Sequence, residues 1–356
     1  MWRLEPRPEP SAAMRLATPV LAVLASVLAG AALFALLGHS PLPALHAFFI
    51  GPVTSLYGAG ELAVKATPLI LIALGLAMGF RAGVWNIGAE GQLTLGAIAG
   101  GGLAAMVFHE GGGPWLLPLM LVAGAAAGLA WAAIPAFLRT RFGVNEILVS
   151  LMLAYVATLL LSALVHGPWR DPLGFNFPQS RYFPSDGTMP VILDGTRLHL
   201  GFPLALLAAA VAWVLFARTV VGFQLDVTGL APRAATFAGF HPERTVWLAF
   251  LASGGLAGLA GVIEVAGPVG GQLVPVISPG YGFTAIIVAF LGRLHPAGIV
   301  LAGLVVALSY LGGENVQITQ GLPQAVTGVF QGFLLFFLLA ADVLVRYRLR
   351  PRRRVA

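Results

Sequence analysis

The chain has 356 residues, 58% of them apolar and only 10% charged, and a formal charge of +6. Soluble domains carry roughly 25% charged residues, so these figures and a mean hydropathy of +0.89 exclude a soluble globular protein and point to a polytopic membrane protein. The absence of cysteine excludes disulfides and thiolate metal sites.

Taken in chain order, the first apolar run, Leu16 to Leu37, follows Arg3, Arg7 and Arg15. It is longer than the roughly 7–15 residues of a signal-peptide core and predicts a retained signal anchor. Further spans are expected at 66–80 with some preceding residues, 92–108, 114–138, 145–165, 202–218, 245–265, 282–292, 296–311 and 322–345. The 282–292 run is too short to cross alone and is expected to begin within 274–281 or to be partly broken. The fold class is therefore an all-α bundle of about ten spans.

Charge orients the bundle. With a cytoplasmic N-terminus and alternating spans, 16 of the 20 basic residues fall inside, and only Lys65, Arg170, Arg181 and Arg197 fall outside. The positive-inside rule then places both termini in the cytoplasm. Residues 1–15 form a cytoplasmic segment, 16–345 the transmembrane domain, and 346–356 a basic tail facing anionic lipid, not nucleic acid. Between them, 167–200 is an external connection and 220–243 a cytoplasmic one. AFLGRLHPAGIVLAGL at 289–304 faintly echoes GFRAGVWNIGAEGQLTLG at 79–96, too weakly to define a repeat.

Enzyme motifs are absent. The seven histidines show no metal-ligand spacing, GxSxG does not occur, and the only lysine, Lys65, is not in a Walker A loop. The GxxxG pairs Gly96/Gly100, Gly124/Gly128 and Gly254/Gly258 read as close helix crossings. Two polar stretches interrupt the apolar runs. Arg81 to Gln92 carries Asn86, Glu90 and Gln92 beside Trp85, and reads either as a wet inner loop or as a cavity-lining segment packed on the bundle. Glu264, followed by AGPVGGQLVP, either faces a solute pathway or snorkels to the outer interface. In 228–245, Pro232 and Gly239 bound a helix of about two turns that needs the bundle or a partner to hold it.

FRAGVWNIGAEGQLTLGA, GVNEILVSLMLAYVA (143–157), GPWRDPLGFNFPQS (167–180) and LAPRAATFAGF (230–240) resemble permease subunits of ABC importers. The nearest group is the nucleoside or simple-sugar branch of the ribose and branched-chain amino acid permease superfamily, over about Pro68 to Ala341. GTRLHLGFPLAL (195–206) resembles the longer of two paralogous permeases. The resemblance implies half of a translocation pathway for a nucleoside or related polar solute, with a simple sugar as the alternative. It also implies a second, shorter permease, two ATPase domains inside and an extracytoplasmic solute-binding protein outside. No cofactor is expected in this chain, with ATP used by the partners.

By the same resemblance, Ala231, Pro232, Arg233, Ala234, Ala235, Phe237 and Gly239 form the ATPase-coupling helix. Trp85, Asn86, Glu90, Gln92 and Glu264 are the pathway candidates: the polar groups hydrogen-bond solute or brace the gate, and Trp85 offers a stacking face. Where relatives commonly read LMLNY, this chain has Ala154. Two rivals of other classes are an ion-coupled secondary transporter using Glu90 or Glu264 and a non-transporting membrane scaffold docking through 228–245.

Overall fold

A computed structural model describes residues 2–7 and 11–351. In chain order its elements are β1 (Trp2–Pro6), α1 (Ala12–Leu36), α2 (Pro41–Phe49), α3 (Leu56–Arg81), α4 (Ala89–Gly102), α5 (Leu116–Phe142) and α6 (Glu146–His166). They continue with α7 (Gly201–Arg218), α8 (Val220–Leu230), α9 (Pro232–Phe237), α10 (Pro242–Ala266), α11 (Tyr281–Leu291), α12 (Pro296–Gln320), α13 (Ala325–Arg346) and β2 (Tyr347–Pro351). The all-α expectation holds apart from the short β1–β2 ribbon. Contacts group the chain into two compact units, Met1–Gly58 with Leu308–Ala356, and Ala59–Ala307.

Among the described residues, eight helices are long and apolar enough to cross a membrane. Two expected runs, 92–108 and 282–292, are not among these eight; the first is helical in place and the second is as short as expected. α4 has 14 residues and runs on into a five-residue π-helical turn, Leu103–Val107, while α11 has 11 residues. The reason is local. Gly83, with φ of 70°, ends α3 and turns the chain back, and an irregular, glycine-rich stretch precedes α11. The 220–243 connection holds the short helix expected between Pro232 and Gly239, as α9, and a further helix, α8, before it.

The first unit packs α1 on α13 around an aromatic cluster. Phe48 and Phe330 stack at 4.3 Å with Phe34 beside them, and Val316, Leu322 and Val326 complete the core. A Cβ on Gly30 would lie 1.9 Å from the Phe330 ring, so α1 can approach only through glycine. β1 and β2 pair antiparallel, with Glu5 opposite Arg348 and an ion pair between them at 3.2 Å. This ribbon holds Trp2–Pro6 beside Tyr347–Pro351. Part of the expected basic tail is thus a strand; Arg352, Arg353 and Arg354 lie outside the described residues.

The second unit is built on a three-helix crossing of α4, α5 and α10. A Cβ on Gly96 would lie 2.2 Å from the Gly258 carbonyl oxygen, one on Gly258 2.2 Å from that of Gly124, and one on Gly128 2.2 Å from that of Gly254. The predicted GxxxG pairs therefore meet at one place, where backbones touch with nothing between them. α4 is buried over twelve of its 14 residues. Helix ends follow their signals: the Asn145 side chain accepts from the Ile147 and Leu148 amides at the start of α6, and Gly143, with φ of 65°, closes α5 after Arg139 and Arg141.

Candidate functional site

The stretch after α3 is packed into the bundle, with only Gly83 and Trp85 exposed. Val84 donates its amide to the Gly79 carbonyl and Gly83 to that of Phe80, a Schellman stop for α3. The end is pinned by Arg81, whose guanidinium makes two hydrogen bonds to Asp226 on α8, at 2.7 and 2.8 Å, and lies 4.5 Å from the Phe216 ring centre. From there Ala82, Val84, Asn86, Gly88 and Ala89 are all buried. The wet-loop reading of this stretch is therefore set aside.

Asn86 and Gln92 pair through their amides. Asn86 Nδ2 donates to Gln92 Oε1 at 2.8 Å, and Gln92 Nε2 donates back to Asn86 Oδ1 at 3.0 Å. Asn86 Nδ2 also donates to Ser253 Oγ at 2.9 Å, and Asn86 Oδ1 accepts from the Gly88 amide at 3.1 Å. The result ties the stretch 82–88 to the first turn of α4 and to α10. α6 closes the other side: the Ile87 amide donates to Ser150 Oγ at 3.2 Å, and a Cβ on Gly91 would lie 2.6 Å from Ala154 Cα. Ala154, the departure from the LMLNY pattern, is thus a buried contact with α4.

Glu90 belongs to two helix starts at once. It sits in the first turn of α4, and its Oε2 accepts the Gly282 amide, in the first turn of α11, at 2.6 Å. Ser278 Oγ accepts the Gly280 and Tyr281 amides at 3.1 and 2.9 Å. Three amides at or just before the start of α11 are thereby satisfied, two by a local hydroxyl and one by a carboxylate 192 residues away in sequence. A Cβ on Gly282 would lie 2.2 Å from the Glu90 nitrogen, so the two starts meet through glycine. Their positive dipole ends converge on one carboxyl group.

Beside this junction, Trp85, Phe80 and Phe290 form an aromatic cluster. Phe80 and Phe290 stack at 4.8 Å, and the indole lies 4.9 and 5.8 Å from them. Trp85 remains 40% exposed, leaving part of its indole uncovered.

Glu264 is buried, so snorkelling to water does not describe it. Lys65 and Arg197 are the cations, and Glu90 the like charge, whose fields reach it. This neighbourhood was missed from sequence. Glu61 on α3 is buried, and its carboxylate takes two hydrogen bonds from Arg197, the Nε–Oε1 distance being 2.8 Å. Two residues on, buried His199 accepts the Gly201 amide at Nδ1 over 3.1 Å, which assigns the proton to Nε2. Nε2 has no hydrogen-bond partner and lies where Gly267 leaves room for it. Burial holds the His199 pKa down at about 4, Glu61 opposing and Arg197 assisting. The available signal was an acid and a lysine one helical turn apart, Glu61 and Lys65, at the edge of an apolar run.

At the arginine-rich end, α9 is short and presented. Pro232 opens it, Gly239 (φ 81°) stops it, and the Phe240 amide returns to the Ala235 carbonyl at 3.0 Å. Ala235 is buried, whereas Ala231, Pro232, Arg233, Ala234, Phe237 and Gly239 are exposed, Phe237 by 93%. A cavity of about 420 Å³ adjoins it, lined by residues that include Gln224, Phe240, His241 and Arg244.

Comparison with known proteins agrees with this layout. The family described as branched-chain amino acid transport system / permease component matches residues 58–339. A glucose ABC transporter permease protein of Haloferax volcanii is 38% identical, covering 97% of this chain and 93% of that one. A guanosine ABC transporter permease protein of Bacillus subtilis is 33% identical over 93% of this chain and 95% of its own. A second guanosine permease protein of that Bacillus is 30% identical over 68% of this chain and 76% of its own. Similarity to both guanosine permeases of one organism, and a bundle with eight helices able to span, make this a multi-pass transport subunit of the cytoplasmic membrane. The chain belongs to the branched-chain amino acid transport system permease family.

Proposed function

We propose that this chain is one of two permease subunits of an ATP-driven importer for a nucleoside or related small polar solute. An extracytoplasmic binding protein delivers the solute to the outer side, and two ATPase domains act on α9 from the cytoplasm. The observation that carries this reading is the match to ABC permease proteins along nearly the whole chain. The structure adds a short, exposed α9 braced by α8, a shape suited to seating in a partner's groove. The cavity beside α9 would receive a side chain from that partner.

In this reading the pathway passes the junction of α4 and α11, two short helices each preceded by irregular chain that completes the crossing. Broken helices of this kind are tolerated at membrane depth where their backbone is buried or lines a cavity, and transporters use them to hold solutes. Asn86 and Gln92 serve as the brace, since their amides bond to one another. Glu90 and Glu264 shape the polar lining, and the open part of the Trp85 indole stacks on the flat ring of the solute. That indole face favours a nucleobase. A simple sugar is the second reading, favoured by the higher identity to the glucose permease of Haloferax.

The test is uptake of labelled guanosine and glucose by cells carrying or lacking this chain. Guanosine uptake that disappears with the chain, is blocked by vanadate and survives uncouplers supports the proposal. Uptake abolished by uncouplers and indifferent to vanadate would instead mark an ion-coupled carrier.

A further inference from the structure

The connection 167–200 lies down as a lid on the segment that follows α10. Ser180 exchanges hydrogen bonds with Leu273: its amide donates to the Leu273 carbonyl and its hydroxyl accepts the Leu273 amide, both at 2.9 Å. Phe183 donates to the Gly271 carbonyl at 2.6 Å and Met189 to that of Ala266 at 2.8 Å. Trp169 and Phe183 press on the glycines at the end of α4, Gly102 and Gly101. Residues 180–189 and 266–273 are therefore one piece, and the end of that lid, Thr196 to His199, comes down on α3.

Its contact with α3 is of a different kind. Arg197 grips buried Glu61 with two hydrogen bonds, and Thr196 sits on Gly60, where an added Cβ would lie 3.0 Å from the Thr196 Cβ. The partners are unequally covered: the Glu61 side chain is 7% exposed and that of Arg197 53%. An ion pair of this sort makes a poor permanent weld, because an apolar contact of the same size does as well or better. It does suit a joint that opens. When Arg197 swings away, water reaches both ions, so the desolvation already incurred is recovered as the bond is lost. Lys65 lies one turn along α3 from Glu61. Glu264 on α10 lies within the field of both cations.

We propose that the Glu61–Arg197 ion pair fastens an outer gate, the 167–200 lid, which must part from α3 in each transport cycle. The proposal rests on the transport reading given above, and the experiment separates the two. The chain has no cysteine of its own, so a Gly60→Cys, Thr196→Cys double variant carries only the intended pair. The Cβ separation at that site is 3.0 Å. That is within about 0.5 Å of the separations disulfides adopt, so oxidation will staple the lid with a small outward adjustment.

Uptake is measured in proteoliposomes containing the partner subunits, oxidised and then reduced. A gate predicts that oxidation lowers uptake about tenfold or more and that reductant restores it, with both single-cysteine variants indifferent to oxidant. Undiminished uptake by the fully oxidised double variant would overturn the gate, while the transport reading would stand. Absence of ATP-driven uptake by the parent assembly would overturn the transport reading and the gate with it. Should the cysteine pair prevent assembly, the Glu61→Ala, Arg197→Ala variant decides, since it leaves no unpaired charge. The gate predicts ATP hydrolysis persisting with reduced uptake per assembled transporter, and parental coupling would refute it.

Discussion

Replacing Glu90 separates a structural brace from a solute ligand. Its Oε2 is the acceptor for the Gly282 amide at 2.6 Å, in a buried setting, and that amide has no carbonyl of its own helix to bond. Glu90→Ala removes the acceptor and leaves a buried N–H unsatisfied, at about 1–3 kcal/mol. Attraction between the carboxylate and two helix starts adds a further contribution of about 0.3–1 kcal/mol each. Against this stands the gain from no longer burying a carboxylate, so the net loss is about 2 kcal/mol. Glu90→Gln keeps an oxygen where the amide needs one and also escapes the cost of burying a charge. Its net change is within about 1 kcal/mol of zero.

The assay is thermal unfolding of the purified chain in detergent. Glu90→Ala is expected to lower the midpoint by about 3 °C, and Glu90→Gln by less than half of that. In uptake measurements Glu90→Gln keeps the solute KM, because the brace needs an acceptor and not a charge. Equal stability losses in the two variants would refute the capping argument. A large rise in KM for Glu90→Gln with unchanged stability would show that the carboxylate binds solute instead.

Other expectations follow from the same geometry. Gly258→Val drives a side chain into the Gly124 carbonyl, 2.2 Å from the first added carbon, and is expected to abolish accumulation of folded protein; normal expression and melting would contradict the three-helix crossing. Asn86→Ala strands the Gln92 amide and is expected to cost about 1–3 kcal/mol, read as a lower melting point, with Asn86→Asp no better because Gln92 Oε1 loses its donor. Arg233→Glu with Phe237→Glu is expected to leave the fold intact, since both side chains are exposed, yet to release the ATPase in co-purification; retained ATPase would remove α9 from the coupling role.

His199 supplies a pH dependence. Its pKa in the folded protein, about 4, lies below the ordinary 6.5, so the unfolded chain binds the extra proton first as pH falls. Stability is then full above pH 6.5 and declines by about 3 kcal/mol towards pH 4. A His199→Gln variant should show a flatter melting profile across that window, and an identical slope would contradict the assignment.

Much of the fold could be read from local pattern because lipid demands it. Long apolar runs located α1, α5, α6, α7, α10 and α13 to within a few residues, and Pro232 with Gly239 located α9. α4 and α11 were also placed by their apolar runs, but what their starts pack against was not. Gly282 declares itself only when Glu90 lies against it. The eleven-residue α8 and the β1–β2 ribbon were too short to announce themselves as the long apolar runs did.

For the site, NIGAEGQ gave the polar residues but not the pairing that makes Asn86 and Gln92 a brace. The ion pairs were harder still: Arg81 meets Asp226 across 145 residues and Arg197 meets Glu61 across 136. Neither follows from helical spacing. Both tie a helix end to a distant connection, and both depend on the tertiary path of the chain.

The most direct test of the central claim is reconstitution of this chain with the proposed second permease, ATPase and binding protein in proteoliposomes. The account predicts concentrative guanosine uptake that requires ATP and is stopped by vanadate. Uptake that proceeds without ATP on an imposed ion gradient, or that no combination of partners supports, would contradict it.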